Sequence, residues 1–215
     1  MTLPNSKPPG QKPGLKICLV APFGLKTKGT TAARVIPIAE ALVKQGHRVR
    51  VVVPPWDDPA GSPDLTLAKN RLEKVNGLEL VFVPVKPGPQ PLRLPVRLVR
   101  AALAFKPDVV HIFKPKAFSG LAALLLSLSR RPFVLDSDDW EGPGGYNDLV
   151  PYSFLQKKLF AWQERDLPAR AAAVTVASRT LQTQVWGFGV KPEQVLYLPN
   201  GIAPETKKAA FLLPF

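Results

Sequence analysis

Seven short apolar runs, most of them rich in valine, punctuate this chain, at residues 15–21, 48–53, 78–85, 109–113, 133–135, 173–176 and 195–198. They are near-continuous rather than alternating, as strands covered on both faces are. Helical spacing fills many of the gaps. Val35, Ile38, Ala39 and Leu42 fall at i, i+3, i+4 and i+7, with Gly46 as the residue after the helix end. Pro37 inside that stretch must kink the helix or move its start. Residues 96–105, 117–130, 152–167 and 178–186 are further helix candidates. Strand, helix, strand in alternation gives an α/β fold: a Rossmann-like, doubly wound, mostly parallel sheet of about seven strands with helices on both faces. Residues 56–64 and 84–95 read as loops, the latter because of its prolines.

Composition narrows the class. At 215 residues, the chain has room for one large domain and its core. Its one cysteine, Cys18, excludes a disulfide framework. The longest apolar stretch, residues 118–128, is too short to span a bilayer, and residues 1–14 are a Pro/Gly/Lys leader without a secretory signal. A cytoplasmic location is the expectation. The net charge of +13 favours anionic partners, among them a phosphorylated ligand or an acidic membrane surface. No helix-turn-helix, zinc-finger or RNP pattern accompanies that charge, so no specific nucleic acid is expected.

Ligands of an open α/β sheet sit outside the carboxyl ends of its strands, so the residues just past each run carry the chemistry. After the first run, residues 22–31 hold two glycines, two lysines and three threonines before a helix start. Free N–H groups and the helix dipole there suit a phosphate. The loop is neither a Walker A loop nor the dinucleotide glycine fingerprint, and an ordinary loop with Thr30 as helix cap reads the same way. After the fourth run come His111, Lys114 and Lys116. His111 either faces a ligand or is a satisfied core residue. After the fifth, residues 136–148 hold five acids in a basic protein. Clustered carboxylates bind a cation, accept a proton or hydrogen-bond sugar hydroxyls, and Trp140 and Tyr146 are placed to stack on a sugar ring. Asp136-Ser137-Asp138 also has the spacing of an Asp-x-Asp metal site. After the last run, Asn200-Gly201 marks a tight turn or hinge.

In order, Pro22, Gly29-Thr30, Gly46-His47-Arg48-Val49, Asp108-Val109-Val110-His111, the Ala173 to Leu181 stretch and Pro199-Asn200-Gly201-Ile202 resemble the N-terminal domain of a GT-B glycosyltransferase of the family numbered 4. The resemblance covers residues 15–202 and leaves 203–215 as a tail past the interdomain crossover. It implies the acceptor-binding half of an enzyme that moves a sugar from a nucleotide-sugar donor to a lipid-linked or polysaccharide acceptor, with no cofactor and no metal. It further implies that Gly29 and Thr30 lie near the donor phosphates. Arg34, His111, Lys114 and Trp140 are the remaining substrate-binding candidates. Asp138 and Asp139 occupy the place where the family often has a histidine, and are the catalytic candidates. The family's C-terminal half, with its Glu-x₇-Glu motif, has no counterpart in this sequence. The expectation is therefore no transfer by this chain alone and a separate donor-domain partner, or else a non-catalytic carbohydrate or anion-binding module, or a truncated remnant. Residues 154–160 mix apolar and cationic side chains, which suits either peripheral contact with an anionic membrane at its inner face or a core-packing helix with solvated lysines.

Overall fold

The computed structural model describes residues 14–25, 29–55, 69–84 and 89–201. The expected leader up to residue 13, Lys26 to Lys28, the loop at 56–64, Ile202 and the tail at 203–215 lie outside the described residues. Eight strands form one sheet: β1 (Lys16–Val20), β2 (Arg48–Val53), β3 (Arg71–Val75), β4 (Leu78–Phe82), β5 (Val109–Phe113), β6 (Val134–Ser137), β7 (Ala173–Val176) and β8 (Val195–Tyr197). Their order is β3-β4-β2-β1-β5-β6-β7-β8. Every neighbouring pair is parallel except β3 with β4.

The seven apolar runs are the seven parallel strands. The eighth, β3, adds one strand to the about seven expected. It is an edge strand whose Arg71, Glu73 and Lys74 leave it without an apolar run, and four of its five residues are exposed. A two-residue turn, Asn76 (φ 51°) and Gly77 (φ 82°), folds it onto β4 as a hairpin.

The helices are α1 (Ile36–Lys44), α2 (Gln90–Leu103), α3 (Ala117–Leu128), α4 (Tyr146–Leu149), α5 (Phe154–Asp166) and α6 (Arg179–Gly187). Pro37 is the second residue of α1, inside a continuous helical run. The five residues before α1, Thr31–Val35, form a wider π turn closed from the Ile36 N–H to the Thr31 carbonyl, a local distortion of the kind found where a proline removes a helix hydrogen bond. The proline-rich loop expected at 84–95 is shorter than its prolines imply, because α2 already begins at Gln90 and runs through Pro95. Among the described residues, no helix is long and apolar enough to cross a membrane.

Strand alternation splits the core into two layers. Ile17, Leu19, Val49, Val51 and Leu80 pack with Val35 and Ala39 of the first helical segment. Cys18, Val20, Val52, Val81, Ile112 and Val174 pack on the opposite face with Leu94, Leu98, Ala122, Leu126, Leu181 and Val185. Each such Val, Leu or Ile side chain, fully buried, contributes about 1.5–3 kcal/mol.

Several motif residues serve this scaffold. Asp108 accepts from the Lys16 N–H at 2.7 Å and so ties β5 to β1. His47 Nδ1 accepts from the Leu15 N–H at 3.1 Å. Ser178 caps α6, accepting from the Leu181 N–H at 3.1 Å. The chain winds from β1 outward to β2 and β4, then returns to β5 on the other side of β1. The topological switch point therefore lies between β1 and β5, and the crevice at their carboxyl ends is where a ligand is expected.

Candidate functional site at the strand ends

A buried polar ladder lies beneath the crevice. Register sets it up: Asp136 of β6 stands beside Phe113 of β5 and Thr175 of β7, so its side chain rises on the face that α1 covers. The Arg34 guanidinium reaches down from the π turn and grips Asp136 with two hydrogen bonds of 2.7 Å, from Nε and Nη2. Its third nitrogen, Nη1, donates to Asn200 Oδ1 at 2.9 Å. The Thr175 hydroxyl donates to Asp136 Oδ1. Having spent its only proton there, Thr175 accepts from His111 Nε2 at 3.1 Å, which assigns the Nε2–H tautomer to His111. Burial pushes the His111 pKa down to about 4, with Arg34 working in the same direction and Asp136 against it. The imidazole is therefore neutral at physiological pH. Burial opposes the charge on Arg34, but its bonds to Asp136 hold it more firmly protonated than an ordinary arginine.

Above the ladder the side chains are less completely tied. Thr30 Oγ1 donates to Asp138 Oδ2 at 2.8 Å, joining the loop after β1 to the loop after β6. The other oxygen of Asp138, Oδ1, is buried and has no hydrogen-bond partner among the described residues. Burial raises the Asp138 pKa to about 6. Lys114 and the Thr30 hydroxyl oppose the rise, and the neighbouring Asp139 and Asp136 reinforce it.

Lys114 comes from the loop after β5 and pairs with Asp139 and, at 2.8 Å, with Glu141 Oε1. Burial works against its charge, but Asp138, Glu141 and Asp139 together hold its pKa above the ordinary lysine value. Lys114 itself sits at φ 49° and Ala117 at φ 52°. Each left-handed non-glycine residue costs about 1–2 kcal/mol, a strain of the kind found at functional sites. Lys116 pairs with Glu141 and lies 4.7–5.5 Å from the ring centres of Tyr152, Phe160 and Tyr146.

The loop after β6 is fixed from below by Glu164 of α5, whose two oxygens accept from the N–H groups of Glu141 (2.6 Å) and Gly142 (2.7 Å). Burial raises the Glu164 pKa, and those two N–H groups oppose the rise. The loop wraps tightly around Trp140: a Cβ on Gly145 would lie 2.1 Å from the Trp140 carbonyl oxygen. Trp140 and Tyr146 are themselves exposed, each at 43%.

The structure thus gathers Thr30, Lys114, Asp138 and Asp139 at the switch point, with Gly29 just before Thr30. Arg34 and His111 lie in the ladder below, the three nitrogens of Arg34 and Nε2 of His111 engaged within the protein. Thr30 makes no capping hydrogen bond; its hydroxyl serves Asp138. In the Asp-x-Asp spacing, Asp136 is held by Arg34 and Thr175, and Asp138 by Thr30. The acidic run after β6 is balanced by Arg34, Lys114 and Lys116, which accounts for most of its charge. Sequence reading missed Glu164, Thr175 and the pairing role of Lys116. Thr175 was accessible through the strand register; Glu164 carries no local signal, because its partners lie 22 and 23 residues away.

Comparison with known proteins agrees with this architecture. The family profile of the Glycosyl transferase 4-like domain matches residues 29–201. No curated protein matches the chain. Among solved structures, HepE from Anabaena, determined with UDP-glucose, is 18% identical over 92% of this chain and 50% of its own, with a TM-score of 0.55. The catalytic domain of starch synthase IV from Arabidopsis thaliana, bound to ADP and acarbose, is 17% identical over 90% of this chain and 53% of its own (TM-score 0.57). The UDP-GlcNAc 2-epimerase from Methanocaldococcus jannaschii is 11% identical over 86% and 46% (TM-score 0.56). At these identities the likeness shows the fold alone, and the chain spans about half the length of each. The profile match covers most of the sequence: the chain belongs to the glycosyl transferase 4-like family and has the Rossmann-like fold of the N-terminal domain of GT-B glycosyltransferases.

Proposed function

We propose that this domain is the acceptor-binding half of a glycosyltransferase that uses a nucleotide-sugar donor, with the crevice between β1 and β5 as its working face. The observation that carries the reading is Asp138: a carboxylate at the topological switch point with one oxygen fixed by Thr30 and the other buried and without a partner among the described residues. That free oxygen is placed to accept a hydrogen bond, or a proton, from an acceptor hydroxyl. Asp138 sits near the pKa at which a carboxylate both stays mostly ionised at neutral pH and holds a proton well. Asp139 holds Lys114 at the crevice, and the Lys114 ammonium, Gly29 and Thr30 form the side that would meet the donor's phosphates. The acceptor is a polysaccharide or a lipid-linked saccharide; the exposed Leu149, Phe154 and Leu155 beside Lys157 and Lys158 suit contact with an anionic membrane that presents it.

Transfer requires a second, donor-binding Rossmann-like half, on this or another polypeptide. The test is release of UDP from UDP-glucose with glucan oligomers or a membrane lipid extract as acceptor. The chain is assayed alone and after co-expression with the reading frames that flank its gene. Transfer is expected only in the co-expressed sample and is expected to fall at least 100-fold in Asp138→Asn. Turnover by the chain alone would contradict the need for a second half. Undiminished transfer by Asp138→Asn would remove Asp138 from the reaction.

A further inference from the structure

A groove of about 630 Å³ runs between α5 and α6, rimmed by Trp140. Three aromatic side chains line it: Trp140, Trp162 and Phe188. Interleaved with them are polar groups: Lys158, Glu164, Arg165 and Gln184. Gln184 Oε1 is buried and has no hydrogen-bond partner among the described residues. A buried acceptor without a donor costs stability, which a ligand hydroxyl would recover. Glu164 gives each of its oxygens to one backbone N–H, leaving a further lone pair on each. Arg165 is mostly exposed and already paired with Asp166 at 2.8 Å, so it offers side-on N–H groups rather than a free charge.

This mixture selects among ligands. A fatty acyl chain needs a continuous apolar wall, which Glu164, Arg165 and Gln184 interrupt. A phosphate would meet Lys158 and Arg165 there, but also the Glu164 carboxylate, whose charge repels it. A pyranose ring satisfies both halves: its C–H face stacks on an indole or phenyl ring while its equatorial hydroxyls reach acceptors at the ring edge.

We propose that the groove between α5 and α6 is a saccharide-binding subsite, stacking a sugar ring on the Trp140 side and accepting a hydroxyl hydrogen bond at Gln184 Oε1. The choice of a saccharide rests on the proposed acceptor role; the groove's shape and its unpartnered amide oxygen do not. The groove and the crevice share one loop, since Trp140 follows Asp138 by two residues, so an oligosaccharide acceptor engages the domain at two places.

The test is a titration of the wild-type chain with maltoheptaose, cellopentaose and xylopentaose, followed by tryptophan fluorescence and by saturation-transfer NMR. At least one of the three is expected to bind saturably, with a Kd of about 1 mM or tighter. Trp140→Ala and Gln184→Leu are each expected to weaken that binding at least tenfold, and Trp140→Phe to weaken it less. Gln184→Leu removes the acceptor without touching the loop around Trp140, so a misfolded Trp140→Ala does not decide the matter. No saturable binding of any of the three, or binding unchanged by Gln184→Leu, would overturn the subsite. Saturable binding by the chain, together with failure of transfer in the co-expressed sample, would support the subsite and count against the transferase reading alone.

Discussion

Asp136 and Asp138 are two residues apart on one strand end, yet they live in different regimes. Asp136 faces into the sheet's α1 side, where Arg34 and Thr175 take both of its oxygens. Asp138 has left the strand and, among the described residues, keeps one hydrogen bond and has one buried oxygen with no partner. The ladder around Asp136 is saturated and holds the crevice floor; the rim around Asp138 is under-satisfied and is where binding or chemistry has something to gain. In this fold, a carboxylate's role follows from whether its lone pairs are already spent.

The largest effect that would break this comparison lies in the ladder. Arg34→Ala leaves Asp136 buried and uncompensated, and removal of one member of a buried pair costs about 3–5 kcal/mol. Thermal or urea unfolding is expected to show that loss, and the paired replacement Arg34→Met with Asp136→Leu to recover much of it. An Arg34→Ala protein of wild-type stability would mean that the ladder is not structural. Glu164→Ala comes next: it strips the acceptor from two buried N–H groups, at about 1–3 kcal/mol each. Hydrogen exchange at Glu141 and Gly142 is expected to speed up, while Glu164→Gln, which keeps one acceptor oxygen, loses less.

The pH dependence sharpens the comparison. The Asp138 pKa is raised on folding, from 3.8 to about 6. Its contribution is therefore fully present below pH 4 and is lost as pH rises through 6, by about 2–3 kcal/mol at 1.36 kcal/mol per unit. The His111 pKa is depressed, from 6.5 to about 4. Its contribution is present above pH 6.5 and is lost as pH falls through 4. The two slopes oppose each other between pH 4 and 6, so the wild-type melting temperature is expected to change little there. Asp138→Asn uncovers the histidine's slope, with stability rising with pH; His111→Gln uncovers the aspartate's, with stability falling. Identical profiles for both variants would show that neither group titrates as its surroundings dictate. The smallest effect belongs to Thr30→Val, which costs about 0.5–1.5 kcal/mol and moves the Asp138 midpoint further upward by removing its one donor.

The scaffold was legible in the sequence because parallel strands covered on both faces must be apolar throughout, and valine-rich runs between helical stretches leave few other arrangements. The edge strand β3 escaped because an exposed edge strand carries charge, as Arg71, Glu73 and Lys74 do; its Asn76-Gly77 turn was the signal that remained. The prolines of α2 masked its first turns. The site was legible by position, since Thr30, Lys114, Asp138 and Asp139 all follow strands. What sequence could not show was which lone pairs are spent. That Arg34 grips Asp136 rather than facing the crevice depends on the sheet register and on a π turn. That Glu164 fastens the loop after β6 depends on the packing of α5.

The most direct test of the account is a carbon-detected NMR titration of the Asp138 side-chain carboxyl in the intact chain. The account predicts a midpoint near 6, moving upward in Thr30→Val. A midpoint at the ordinary aspartate value near 4 would mean that Asp138 is solvated like any surface carboxylate, and the division between a saturated ladder and a poised rim would fall.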